Sequence, residues 1–144
     1  MKLSEDVLNE IRNRNVEIEI AGLRDVAQRS SDATRHLPDR EDYRNKFSHD
    51  SDRILHSLSY ARYYDKTQVF FWIRSDVHQR RMHHVQLVAK MSREIGKALG
   101  LNQELLEAIA LGHDIGHVPF GHDGENILNE LTMSHGIGRF LHNY

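Results

Sequence analysis

The chain has 144 residues, 39% of them hydrophobic, which suits one domain with a buried core, or a piece of a larger one, and leaves no room for two. Nineteen Lys and Arg stand against twenty-one Asp and Glu, so no global positive field advertises nucleic-acid binding; zero cysteines exclude disulfides and thiolate metal sites. No apolar run has the length of a membrane span or a signal core, and the expected location is the cytoplasm. Histidine is the outlier, with eleven in all, and His113, His117, His122, His135 and His142 fall close together near the end.

In chain order, residues 4–28 combine a helical stretch, SEDVLNEIRNR, with an alternating VEIEI that also suits a short strand; helix is the better reading. From Gln28 to Phe47 the chain is polar, carries Pro38 and lacks an apolar period, which predicts an extended arm. Residues 1–47 are therefore separated from 48–144, the part expected to carry the chemistry. Ile54, Leu55, Leu58 and Ala61 have helical spacing and predict a helix over about 51–63, followed by a looser apolar segment, QVFFWI.

Val88, Met91, Ile95 and Leu99 recur at three- and four-residue steps, predicting a helix over 79–99 with these residues on its buried face. Stepping back by four reaches His84, while His83 is turned about 100° away. Gly100 is the expected helix stop and Asn102 the N-cap of a second apolar helix, whose stripe of Leu106, Ile109 and Ala110 leads to His113. HVPFGHDG then breaks regularity through Pro119 and two glycines, and ENILNEL restarts a helix. No run of alternating strands would build a sheet, so the expected class is all-α.

Two adjacent helices thus each direct a histidine inward, and His113 is followed by Asp114. Two imidazoles and a carboxylate suit Mn, Fe, Zn, Ni or Co better than Ca, and three ligands leave the open position that a catalytic metal needs. Either histidine alone would read as an ordinary hydrogen-bonded core residue; the pair beside Asp114 favours a metal. His117, His122 and Glu125 lie on or beside the irregular loop, where proton-transfer groups can face a substrate. Solvated loop histidines, and an acidic residue favoured by the helix dipole, are the alternative readings of these three.

The ordered series DRILHSLSYARYYDKTQVF, RMHHVQLV, LGHDIGHVPFGHDGENILNEL and FLHN resembles the deoxyguanosine triphosphate triphosphohydrolase family of the HD-domain phosphohydrolase superfamily, over roughly Ala27 to Asn143. The resemblance implies an all-helical HD bundle that cleaves deoxynucleoside triphosphates at the α-phosphate, releasing a deoxynucleoside and tripolyphosphate with the help of a divalent ion (Mn, Mg, Fe, Co, Ni or Zn). By the same matching, His84, His113 and Asp114 are metal ligands, and Arg81 sits against substrate phosphate. His117 and His122 are the histidines beyond the metal pair, with Glu125 orienting His122, which acts as nucleophile or acid or polarises the attacking water. Gln68, and with it Lys66, matches the box at the sugar end of the nucleotide. His142 and Asn143 match a His-Asn pair bordering the substrate pocket. Tyr63 and Tyr64 either stack on a base or belong to the core.

This chain departs from the pattern in two places. YARYY stands where the family has two arginines and a leucine, so only Arg62 remains of the pair. The family's second metal-binding aspartate lies far downstream, and this chain stops at Tyr144. The expectation is therefore an N-terminal portion whose bundle is incomplete on its C-terminal side and exposes apolar helix faces; Asp123 and His135 are discounted as replacement ligands. Implied partners are the nucleotide, further copies of the chain, and a nucleotide effector or single-stranded nucleic acid, with no membrane. Alternatives are an HD phosphohydrolase for another nucleotide and a nucleotide-binding regulatory module without catalysis.

Overall fold

The computed structural model describes residues 4–36, 43–64, 66 and 81–142. Among these, the helices are α1 (Glu5–Gly22), α2 (Lys46–Leu55), α3 (Leu58–Ala61), α4 (Arg81–Leu99), α5 (Gln103–Gly112) and α6 (Gly121–Ser134), with 3-10 turns at Ser30–Asp32 and Arg62–Tyr64. There is no strand among the described residues, and the all-α expectation holds. No helix there is long and apolar enough to cross a membrane.

α1 runs straight through VEIEI, because a helix pairs its own backbone whereas a lone strand has no ladder to join. The helix buries none of its residues and is tied down through Glu19. Its Oε1 accepts from the Ser30 amide and from Asn102 Nδ2, each at 2.7 Å.

The helix predicted over 51–63 begins earlier and is broken. α2 starts at Lys46, so the 47/48 division falls in its first turn, and the chain turns at His56 and Ser57 before α3. The Ser57 hydroxyl accepts from the Tyr60 amide at 3.1 Å, and this local cap competes with a continuing helix. QVFFWI and Gln68 lie outside the described residues.

α4 and α5 form a tight hairpin at the centre. Gly100 adopts φ +67°, the left-handed turn after a helix end, and Asn102 Oδ1 accepts from the amides of Glu104 (3.1 Å) and Leu105 (3.2 Å), as its predicted cap role requires. The buried face of α4 differs from the predicted one. Arg81, Val85, Ala89 and Gly96 face inward, whereas Met91 is 63% and Ile95 57% exposed and Leu99 is exposed too; of the predicted stripe, Val88 alone packs on the core. α4 has two apolar faces, and the one with small residues wins because it lets α5 approach closely. A Cβ on Gly96 would come within 2.2 Å of Leu106 Cδ1. On α5, likewise, Ala108, Ala110 and Leu111 are buried while Ile109 is exposed. Tyr60, Tyr63, Val85, Ala89, Ala110 and Leu111 make the core, and the ends of α4 and α5 that border it carry the histidines.

Candidate metal centre and histidine cluster

α5 ends at Gly112, and His113 follows as its C-cap. The His113 Nδ1–H donates to the Ala110 carbonyl at 2.7 Å, which fixes the tautomer and leaves the Nε2 lone pair free. Nε2 lies 3.6 Å from Asp114 Oδ1. Across the hairpin the His84 ring meets the His113 ring at 5.6 Å between centroids and 64° between planes. One donor atom from each of His84, His113 and Asp114 lies within 4.8 Å of the others. Donors around one ion at about 2.1 Å sit at most roughly 4.2 Å apart, so small side-chain adjustments close this set on a divalent ion. The three predicted ligands are thus brought together, and His83 is exposed as expected.

Arg81 is not an open phosphate-facing arginine. It is buried, and its Nη1 donates to Asp114 Oδ2, which leaves Oδ1 for the metal side. Burial opposes ionisation of Asp114, but the charges of His113 and Arg81, with the hydrogen bond from Arg81, outweigh it and hold the carboxyl below the usual carboxylate range. Tyr63 lies beneath, its phenol raised far above the ordinary value by burial first and then by the charge of Asp114. Burial, with Arg81 and Arg62 nearby, lowers the Lys66 ammonium, whose Nζ donates to the His117 carbonyl at 2.5 Å. The Lys66 carbonyl accepts from the Arg81 amide at 3.0 Å, so Lys66 braces the start of α4 against the histidine loop.

On the loop, His117 is buried and its Nδ1–H donates to the Val118 carbonyl at 3.0 Å, which aims Nε2 elsewhere. Burial foremost, helped by Arg81 and His142, lowers its pKa and keeps the ring neutral near pH 7. His142 folds back over the loop. Its amide and Nδ1–H both reach Glu125 Oε1, at 3.1 and 2.9 Å, while its Nε2 stands 4.0 Å from Asp114 Oδ1. Glu125 therefore holds His142 more closely than His122, whose Nδ1 is 3.5 Å from Oε2 and whose side chain is 83% exposed. Those hydrogen bonds from His142 push the Glu125 carboxyl down to about 2. The His117 ring is 4.9 Å from that of His142 and 6.0 Å from that of His122, so the three imidazoles form one cluster, which adjoins Asp114 through His142.

Gly116 went unrecognised in the sequence. A Cβ there would lie 2.3 Å from the His142 carbonyl oxygen, so the return of the chain over the loop requires glycine; its only sequence signal is its place between Asp114 and His117. Tyr63 belongs to the core and Tyr64 is exposed. Asp123 and His135 do not join the ligand set; His135 turns its Nδ1 to the Leu131 carbonyl at the far end of α6. Asn143 lies outside the described residues.

The HD domain family model matches residues 81–141. Three relatives carry the name deoxyguanosinetriphosphate triphosphohydrolase-like protein. The one from Clostridium tetani is 52% identical over 91 residues, 63% of this chain and 26% of that protein. The one from Caldanaerobacter subterraneus is 43% identical over 134 residues, 92% of this chain and 38% of that protein. The third, from Geobacter metallireducens, is 46% identical over 102 residues, 71% of this chain and 26% of that protein. The chain thus spans well under half the length of the curated relatives it matches.

Proposed function

Because the chain belongs to the deoxyguanosinetriphosphate triphosphohydrolase-like family of HD proteins, we propose that it contributes the catalytic half-site of a metal-dependent enzyme that hydrolyses deoxynucleoside triphosphates to deoxynucleoside and tripolyphosphate. The observation that carries the proposal is the convergence of His84, His113 and Asp114, one donor atom from each within 4.8 Å of the others. A divalent ion held there supplies Lewis-acid polarisation of phosphate oxygen and water.

The rest is the work of side chains. His113 is presented by the Ala110 carbonyl and Asp114 by Arg81, so both ligands are oriented before substrate arrives. His117, kept neutral, offers Nε2 as a proton acceptor, and His142, pinned through Nδ1–H by Glu125, places Nε2 beside Asp114, where the doubly protonated ring passes its Nε2 proton to the leaving oxygen. His122 stands at the outer rim, where it meets substrate first. Arg81 acts on phosphate through the charge it adds to the site floor while it anchors Asp114. Lys66, with Gln68, is assigned to the sugar end of the nucleotide. The exposed Leu87, Met91 and Ile95 on α4 favour assembly with further protein, self-association included.

Phosphorus NMR after incubation with manganese and each deoxynucleoside triphosphate tests the reading. Tripolyphosphate is the expected product. Turnover only when a monophosphate or a messenger nucleotide is supplied in place of the triphosphates instead identifies a different HD phosphohydrolase, and nucleotide-dependent thermal stabilisation without product identifies a binding module.

A further inference from the structure

Tyr63 is wholly withdrawn from solvent, at 0% exposure, and stands in the 3-10 turn Arg62–Tyr64. Its ring meets Tyr60 edge-on at 5.2 Å and 71°, and Lys66 Nζ lies 5.8 Å over its face. The hydroxyl donates to the Leu111 carbonyl at 3.4 Å, in the last turn of α5, and the backbone amide of Asp114 acts on the same oxygen. A phenol this deeply buried must keep a partner for its hydroxyl.

The end of α5 shows what that contact does. The last four carbonyls of a helix have no intrahelical partner, and here three of them are met separately. Ala110 accepts from the His113 ring at 2.7 Å, Gly112 accepts from the Ile115 amide at 3.0 Å, and Leu111 accepts from Tyr63. Tyr63 is the member of this set that comes from outside the α5–loop segment, so its hydrogen bond adds a fixed backbone register to the packing of Ala110 and Leu111 in the core. His113 and Asp114 follow at once, and slippage of the last turn by one residue would rotate them about 100° away from His84.

We propose that Tyr63 is a positioning residue for the metal pair: its hydroxyl caps the Leu111 carbonyl and so holds His113 and Asp114 in the register that meets His84. This rests on the metal reading above.

The test compares the full chain with Tyr63→Phe and Tyr60→Phe. Tyr60 shares the same core, but its hydroxyl accepts from Gln86 Nε2 on α4 instead of donating to a carbonyl of α5, so its variant controls for loss of a buried hydroxyl in general. Manganese binding is titrated by calorimetry at low temperature, and nitrogen-15 NMR reads the His113 tautomer without metal. Tyr63→Phe should keep the helical circular dichroism, weaken manganese about tenfold and scramble the Nδ1–H tautomer, while Tyr60→Phe matches the parent. Parent-like affinity and tautomer in Tyr63→Phe would overturn the proposal, as would equal loss in both variants. No manganese binding by the parent chain itself would overturn the metal reading and this proposal with it.

Discussion

Arg81 and Asp114, 33 positions apart in the chain, form a buried ion pair in which the carboxylate turns Oδ2 to the guanidinium and Oδ1 to His113. The carboxylate is therefore both a candidate ligand and the compensation for a buried charge. Asp114→Ala takes the carboxylate away from the buried charge of Arg81, at a cost of about 3–5 kcal/mol, which in a chain of this length lowers Tm by roughly 10 °C or more. His113→Ala removes a partly exposed ring and leaves no charge behind, so it should melt within a few degrees of the parent. Both variants should lose manganese binding. Thermal melts followed by circular dichroism check the contrast, and equal melting of the two would show that the ion pair contributes nothing.

Glu125 gathers the His142 amide and ring onto one oxygen. A carboxyl pushed down to about 2 from an ordinary 4.5 binds fewer protons when folded, so its contribution is complete above about 4.5 and is lost as pH falls towards about 2. Protection of the His142 amide from hydrogen exchange, corrected for intrinsic rate, should accordingly stay level between pH 8 and 5. Glu125→Ala should expose the amide about tenfold or more at every pH, while Glu125→Gln, which keeps an acceptor oxygen, should retain protection without the fall below pH 4.5. Undiminished protection in Glu125→Ala would mean that other contacts seat His142.

Gly116→Ala places a methyl 2.3 Å from the His142 carbonyl oxygen, a backbone atom that cannot yield unless residue 142 moves. Manganese affinity should stay within about twofold of the parent, since none of the three ligands is touched. Turnover of deoxynucleoside triphosphate should fall by roughly a hundredfold, at the low end of what a positioned proton-transfer group contributes. Full turnover in this variant would remove His142 from the chemistry.

The grouping of His84, His113 and Asp114 as candidate metal ligands was legible because it rests on local rules. A four-residue step places His84 one turn before Val88, a helix running into His113 delivers an adjacent Asp114, and Asn102 and Gly100 punctuate the hairpin between them. The face of α4 was not legible, because Val88, Met91, Ile95 and Leu99 have the larger side chains and the choice between two apolar faces was made by α5 closing on Gly96. The break at Ser57 follows from a cap that competes evenly with helix until packing decides. The partners of Glu125, Lys66 and Tyr63 were equally hidden, since each bond spans a distance in the chain that no periodicity encodes.

Glu104 tests the opposite sign, away from the metal. Burial first, and then the charge of Glu19, raise its pKa, and Oε2 is buried with no hydrogen-bond partner among the described residues, while Asn45 and Ser48 partly offset the effect. A carboxyl raised on folding binds more protons in the folded state, so its ionised form costs stability, from about the ordinary 4.5 upward until the folded group has fully ionised. Glu104→Gln keeps the shape and removes the charge, and should raise Tm by roughly 2 °C at pH 7 with no gain at pH 4. The helix dipole opposes this outcome, because Glu104 stands in the first turn of α5, where a carboxylate is favoured. Thermal melts across pH 4–8 decide between the two: a lower Tm for the variant at pH 7 would mean that the dipole outweighs burial and Glu19.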